Sequence, residues 1–83
     1  MNRRKLLERF SSGSVQNTTF SDLTSLVEGL GFHLSRVKGS HHIFVHPQVP
    51  EPLNLQEIRG EAKPYQIRQL MKLIERYNLK LEE

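Results

Sequence analysis

The chain has 83 residues and a formal net charge of +3, with twelve Lys and Arg against nine Asp and Glu. That length accommodates one domain with a thin core, and the absence of cysteine removes disulfides, thiolate nucleophiles and zinc–thiolate sites. No stretch reads as a secretory h-region or as a membrane span, so a soluble cytoplasmic protein is expected, and its basic balance suits a polyanion such as RNA or DNA, or an acidic protein.

Residues 1–18 read as a basic N-terminal extension. "NRRKLLERF" suits a short helix with Leu6, Leu7 and Phe10 on one side, and "SSGSVQNTT" reads as a Ser-rich linker. A helix this short is marginal alone, so poor packing is expected here. A single domain is expected over 19–83. In "FSDLTSLVEGLGF", Leu23, Leu26, Val27 and Leu30 fall on one helix face. Ser21 suits the N-cap and Gly31 the left-handed position after the helix.

"FHLSRVK" and "HHIFVHP" are β-rich, and Gly39-Ser40 between them suits a two-residue hairpin turn. Pro47, Pro50 and Pro52 are expected to break the chain. "LNLQ" alternates and forms a third strand, with Leu53 and Leu55 on one face. "EIRGEAK" reads as a polar loop. The last helix opens at Pro64 and carries a stripe of Ile67, Leu70, Met71, Ile74 and Tyr77, with Asn78 at its end. The expected class is α+β: a small three-stranded antiparallel sheet with two helices on one face, in the order α-β-β-β-α. That order resembles the double-stranded-RNA-binding-domain type of fold. The second sheet face stays open to solvent or ligand.

The hairpin is the candidate site. A two-residue turn sets Lys38 opposite His41, Arg36 opposite Ile43, Leu34 opposite Val45 and His33 opposite His46. Arg36, Lys38 and His41 then share a face, while Val37, His42 and Phe44 turn toward the helices. His41 and His42 point apart and cannot act together on one phosphate. One histidine with two cations fits metal-independent RNA cleavage: a base removes the 2′-OH proton, and the cations hold the phosphodiester and stabilise its developing charge. Ser40 and the Gly39 turn supply hydrogen-bond donors. Lys63, near the start of the last helix, is a further phosphate contact, as are Arg59 and Arg68, and Tyr65 is placed to stack on a base. Surface or structural roles are the plain alternative for each. No cofactor is called for. A metal site is disfavoured because His41 and His42 diverge with no carboxylate nearby in sequence.

The Gly31-Phe32 pair, Arg36, "KGSHHIFVHP" and "KPYQIRQLMKLIERYNL" together resemble the HicA toxin family of type II toxin–antitoxin systems, over about Phe20 to Leu79. The resemblance implies a small mRNA endonuclease that a HicB-type antitoxin neutralises by covering the active face. The family's catalytic histidine follows the Gly-Ser pair and maps onto His41, with Lys38, Gly39 and Ser40 as its lead-in. Many members carry a further histidine after the third strand, where this chain has "LNLQEIRG". The alternative functions are a non-catalytic RNA-binding module and a subunit that only binds the antitoxin.

Overall fold

The chain begins with helix α1, Arg3–Ser11, in a computed structural model that describes residues 1–82. The Asn2 side chain caps α1 by accepting from the Lys5 N–H at 3.1 Å. Leu6 and Phe10, four residues apart, bury their side chains, and Val15 beyond the helix does the same. All three belong to the hydrophobic cluster at the centre of the molecule. Helix length alone predicts poor packing of this segment. Tertiary burial reverses that, because a short amphipathic helix draws its stability from the face it buries. Arg3 adds a hydrogen bond from its Nε to Ser25 Oγ at 3.0 Å, tying α1 to the next helix.

That helix, α2, spans Phe20–Gly29. Its N-cap is Thr19, not Ser21: Thr19 Oγ1 accepts from the Asp22 N–H at 3.1 Å. Thr19 is held extended because strand β1, Thr18–Thr19, pairs antiparallel with a second two-residue strand, Glu61–Ala62, inside the stretch expected to be loop. Gly31 follows the α2 cap at φ +97°, as its position implied. A Cβ there would stand 2.8 Å from His46 Nε2 and 2.6 Å from Glu82 Oε2. Gly31→Ala is therefore expected to destabilise by about 2 kcal/mol or more, the left-handed penalty plus the displacement of His46. Urea unfolding measures it.

Strands β2 (His33–Lys38), β3 (His41–His46) and β4 (Val49–Gln56) form an antiparallel sheet in the order β2-β3-β4; the Glu61–Ala62 strand is β5. β4 is twice as long as "LNLQ" and contains Pro50 and Pro52, which do not break it. An edge strand can carry proline where its N–H faces away from the ladder. The hairpin register near the turn is as expected, with Lys38 opposite His41, Val37 opposite His42 and Arg36 opposite Ile43. Beyond it a bulge at Ser35 shifts the pairing, so Leu34 faces Phe44 and His33 faces Val45, rather than Val45 and His46. β2 is exposed along its whole length, and Val37, expected under the helices, is 51% exposed. The helices do not reach this edge. Its bulge and its cations Arg36 and Lys38 guard it against pairing with other chains.

Phe44, Leu53 and Leu55 enter the core from one sheet face and join there the buried side chains of α1, α2 and the last helix, α3, Pro64–Tyr77. Pro64 occupies the first helical position, where its missing N–H costs nothing. Leu73 joins Ile67 and Leu70 in burial, while Met71, Ile74 and Tyr77 flank them. Asn78 ends the helix at φ 52°, and the Leu79 N–H returns to the Ile74 carbonyl at 3.0 Å. The Tyr77 hydroxyl donates to Glu51 on β4 at 3.0 Å. Partial burial raises the Tyr77 pKa, and the Glu51 carboxylate adds to the shift. The fold is thus α+β, with α2 and α3 on one face of a three-stranded sheet, α1 packed against those two helices, and the other face uncovered among the described residues.

Candidate functional site

The open face is built by alternation. In β3, His42, Phe44 and His46 point to the helices, so His41, Ile43 and Val45 point away. In β4, burial of Leu53 and Leu55 turns Asn54 outward between them. The β2–β3 turn places Gly39 at φ +60° with open space where a Cβ would sit, so glycine serves the backbone conformation there rather than close packing. The result is a cleft of about 470 Å³ lined by Arg36, Lys38, Gly39, His41, Ile43 and Asn54. These residues bring two cations, one imidazole, one amide and an apolar floor, and no carboxylate.

His41 and Asn54 are diagonal neighbours across β3 and β4, since His41 pairs with Gln56 and Ile43 with Asn54. His41 Nδ1 lies 3.1 Å from Asn54 Oδ1. Sequence reading does not single out Asn54, although the signal is present: a polar residue between two core leucines of a strand must face the other side.

The remaining histidines have different surroundings. His42 packs its ring on Phe20, 4.9 Å between centroids, with Nδ1 3.3 Å from the Ser40 carbonyl oxygen. His46 is buried: its Nε2–H donates to the Leu30 carbonyl at 3.0 Å and its Nδ1 accepts from the Gln48 N–H at 3.0 Å. Its ring sits edge-on to Phe32 at 4.9 Å. Both nitrogens are used, which makes His46 a structural clamp between α2 and the β3–β4 turn. His33, expected on the His46 side, is carried by the bulge to the open face. It lies opposite Val45, four residues along β3 from His41, or about 13 Å. The site therefore contains one histidine.

Ser40 turns toward β4 rather than into the cleft. Its Oγ accepts from Gln56 Nε2 at 3.3 Å, and its carbonyl accepts from the Glu57 N–H at 2.9 Å. Gln56 is held in turn by Gln66 of α3, which is 1% exposed. Gln66 Oε1 accepts from the Gln56 N–H at 3.1 Å, and its Nε2 donates to the Gln56 carbonyl at 2.9 Å. One buried amide thus replaces a neighbouring strand at the end of β4 and anchors the turn that carries His41. Lys63 does not line the cleft; its Nζ lies 3.9 Å from Glu61 at the start of α3. Tyr65 is exposed beside it.

Among the described residues no three His, Asp or Glu side chains converge to hold a metal ion, and no helix is long and apolar enough to cross a membrane. No curated protein and no solved structure matches the chain. The family described as the HicA toxin of bacterial toxin–antitoxin systems matches residues 20–75, from the start of α2 through most of α3. That span contains the open face, the hairpin and the Gln66 anchor. The chain belongs to the HicA toxin family.

Proposed function

We propose that this toxin is a metal-independent endoribonuclease that cleaves mRNA in the cytoplasm, with His41 as the proton-transfer residue. The observation that carries the reading is the cleft joining His41 to Arg36 and Lys38 on the uncovered sheet face. His41 takes the proton of a 2′-OH, and the 2′ oxygen attacks the adjacent phosphorus. The P–O5′ bond breaks, and the 5′ oxygen takes a proton from water. Arg36 and Lys38 bind the phosphate and stabilise the charge that builds on it. Gly39 shapes the turn, and Ser40 fixes it to β4. Lys63, outside the cleft, contacts the RNA backbone farther along. A HicB-type antitoxin neutralises the toxin by covering the same basic face.

The chemistry specifies its products. Cleavage is expected to proceed in EDTA and to leave 2′,3′-cyclic phosphate and 5′-hydroxyl ends. Dependence on added Mg²⁺, or 5′-phosphate ends, would overturn the mechanism. Binding of intact RNA without scission would instead identify an RNA-binding module, the alternative that the basic open face also supports. Arg36→Ala and Lys38→Ala are each expected to weaken RNA binding. Each should also lower the slope of log K against log salt by about 0.7 to 0.9 for every phosphate left without its cation. Fluorescence anisotropy between low and physiological salt measures both effects.

A further inference from the structure

The geometry points to Asn54 as the positioning residue that selects the tautomer of His41. This inference rests on the proton-transfer role proposed for His41 and names what makes that histidine competent. A neutral imidazole carries one proton, and the hydrogen bond at one nitrogen decides which nitrogen has it. Free neutral histidine favours the Nε2–H form, which leaves its lone pair on Nδ1. In this protein that lone pair would point at Asn54 Oδ1, 3.1 Å away, acceptor against acceptor. With Oδ1 toward the ring, as the amide stands here, Nδ1–H donates to Asn54 and the lone pair lies on Nε2; the flipped amide would donate Nδ2–H to Nδ1 instead, and the two arrangements differ in the tautomer they select. Nε2 is the outer nitrogen of the ring, on an exposed side chain at the edge of the cleft. It is the one able to reach a 2′-OH.

The surroundings leave this task to Asn54. The side chains lining the cleft with His41 are Arg36, Lys38, Ile43 and Asn54. Arg36 and Lys38 only donate, and Ile43 does neither, so Asn54 is the one acceptor among them. An amide suits the role better than a carboxylate. It accepts from Nδ1 without adding a negative charge that would compete for the cations and repel a phosphodiester. Asn54 is itself held in place: it pairs with Ile43 in the ladder, and its strand neighbours Leu53 and Leu55 are fully buried.

The test combines a spectroscopic readout with kinetics on the full chain. ¹⁵N imidazole spectra, at a pH where the ring is neutral, are expected to report Nδ1–H for His41 in the wild type and Nε2–H in Asn54→Leu. Asn54→Leu is expected to lower kcat about 10- to 100-fold with KM nearly unchanged, a part of the 10²–10⁴ that positioned acid–base catalysis supplies. Asn54→Asp retains the acceptor. It is expected to keep the Nδ1–H tautomer and to recover most of the kcat that Asn54→Leu loses, with a raised KM because the carboxylate opposes the phosphodiester. An Nε2–H wild-type tautomer, or wild-type kcat in folded Asn54→Leu, overturns the assignment. Undiminished cleavage by His41→Ala overturns the catalytic reading itself, and the tautomer spectra then still decide whether Asn54 orients the ring.

Discussion

Cells induced to express His41→Ala are expected to grow and to retain intact mRNA, while cells expressing the wild type arrest and lose it. In purified form the substitution is expected to lower the cleavage rate by about 10²- to 10⁴-fold, the usual contribution of a positioned general base. The size follows from the make-up of the site. His41 has no second histidine to take over: His42 packs on Phe20 through the opposite face, and His46 is fully engaged under α2. His33 shares the open face but lies opposite Val45, several residues from the cleft. Stability should be almost unchanged, because His41 is exposed and, among the described residues, its side chain is tied only to the outward-facing Asn54. RNA binding should survive too, since Arg36 and Lys38 remain. A variant that still binds RNA and still folds, yet does not cut, separates chemistry from association. Cleavage at the wild-type rate would remove His41 from the mechanism.

Gln66→Leu is expected to destabilise the protein by about 2 to 4 kcal/mol, although it replaces a polar side chain in the core with an apolar one of similar size. The Gln56 N–H and C=O would each be left unpaired, at a cost of about 1–3 kcal/mol per buried unsatisfied group. Urea unfolding reads the loss, and amide exchange at Gln56 localises it. The effect should extend to function, because Gln56 Nε2 also holds Ser40 Oγ and the turn that leads into His41. Cleavage by the folded fraction is expected to fall as well. A loss below about 1 kcal/mol would mean that the end of β4 finds other partners, and that the amide clamp is not what secures it.

The two substitutions differ in how well the sequence foretells them. His41 is legible because strand alternation is local: two adjacent residues of a strand must face opposite ways, and a Gly-Ser turn sets the register beside it. The same logic places Asn54 outward between Leu53 and Leu55. Its partnership with His41, however, depends on the register between β3 and β4, which no local pattern carries. Gln66 shows the other limit. On the helix wheel it sits beside the apolar stripe and reads as a polar surface residue, yet it is buried. What buries it is the end of β4, a neighbour ten residues away in sequence, with two backbone groups that need a partner.

Local physics therefore determined the order of the main elements, the helix stops at Gly31 and Asn78, the hairpin turn and the split between His41 and His42. Each rests on periodicity or on the backbone freedom of a single residue. Tertiary structure decided what depends on segments distant in the chain. It brought α1 into the core, passed β4 through two prolines at a sheet edge, and paired β1 with β5. It also moved His33 across the sheet with one extra residue at Ser35, and set an amide acceptor against His41. In each case the deciding term is burial or hydrogen bonding supplied by a partner outside the segment, which its own sequence does not specify.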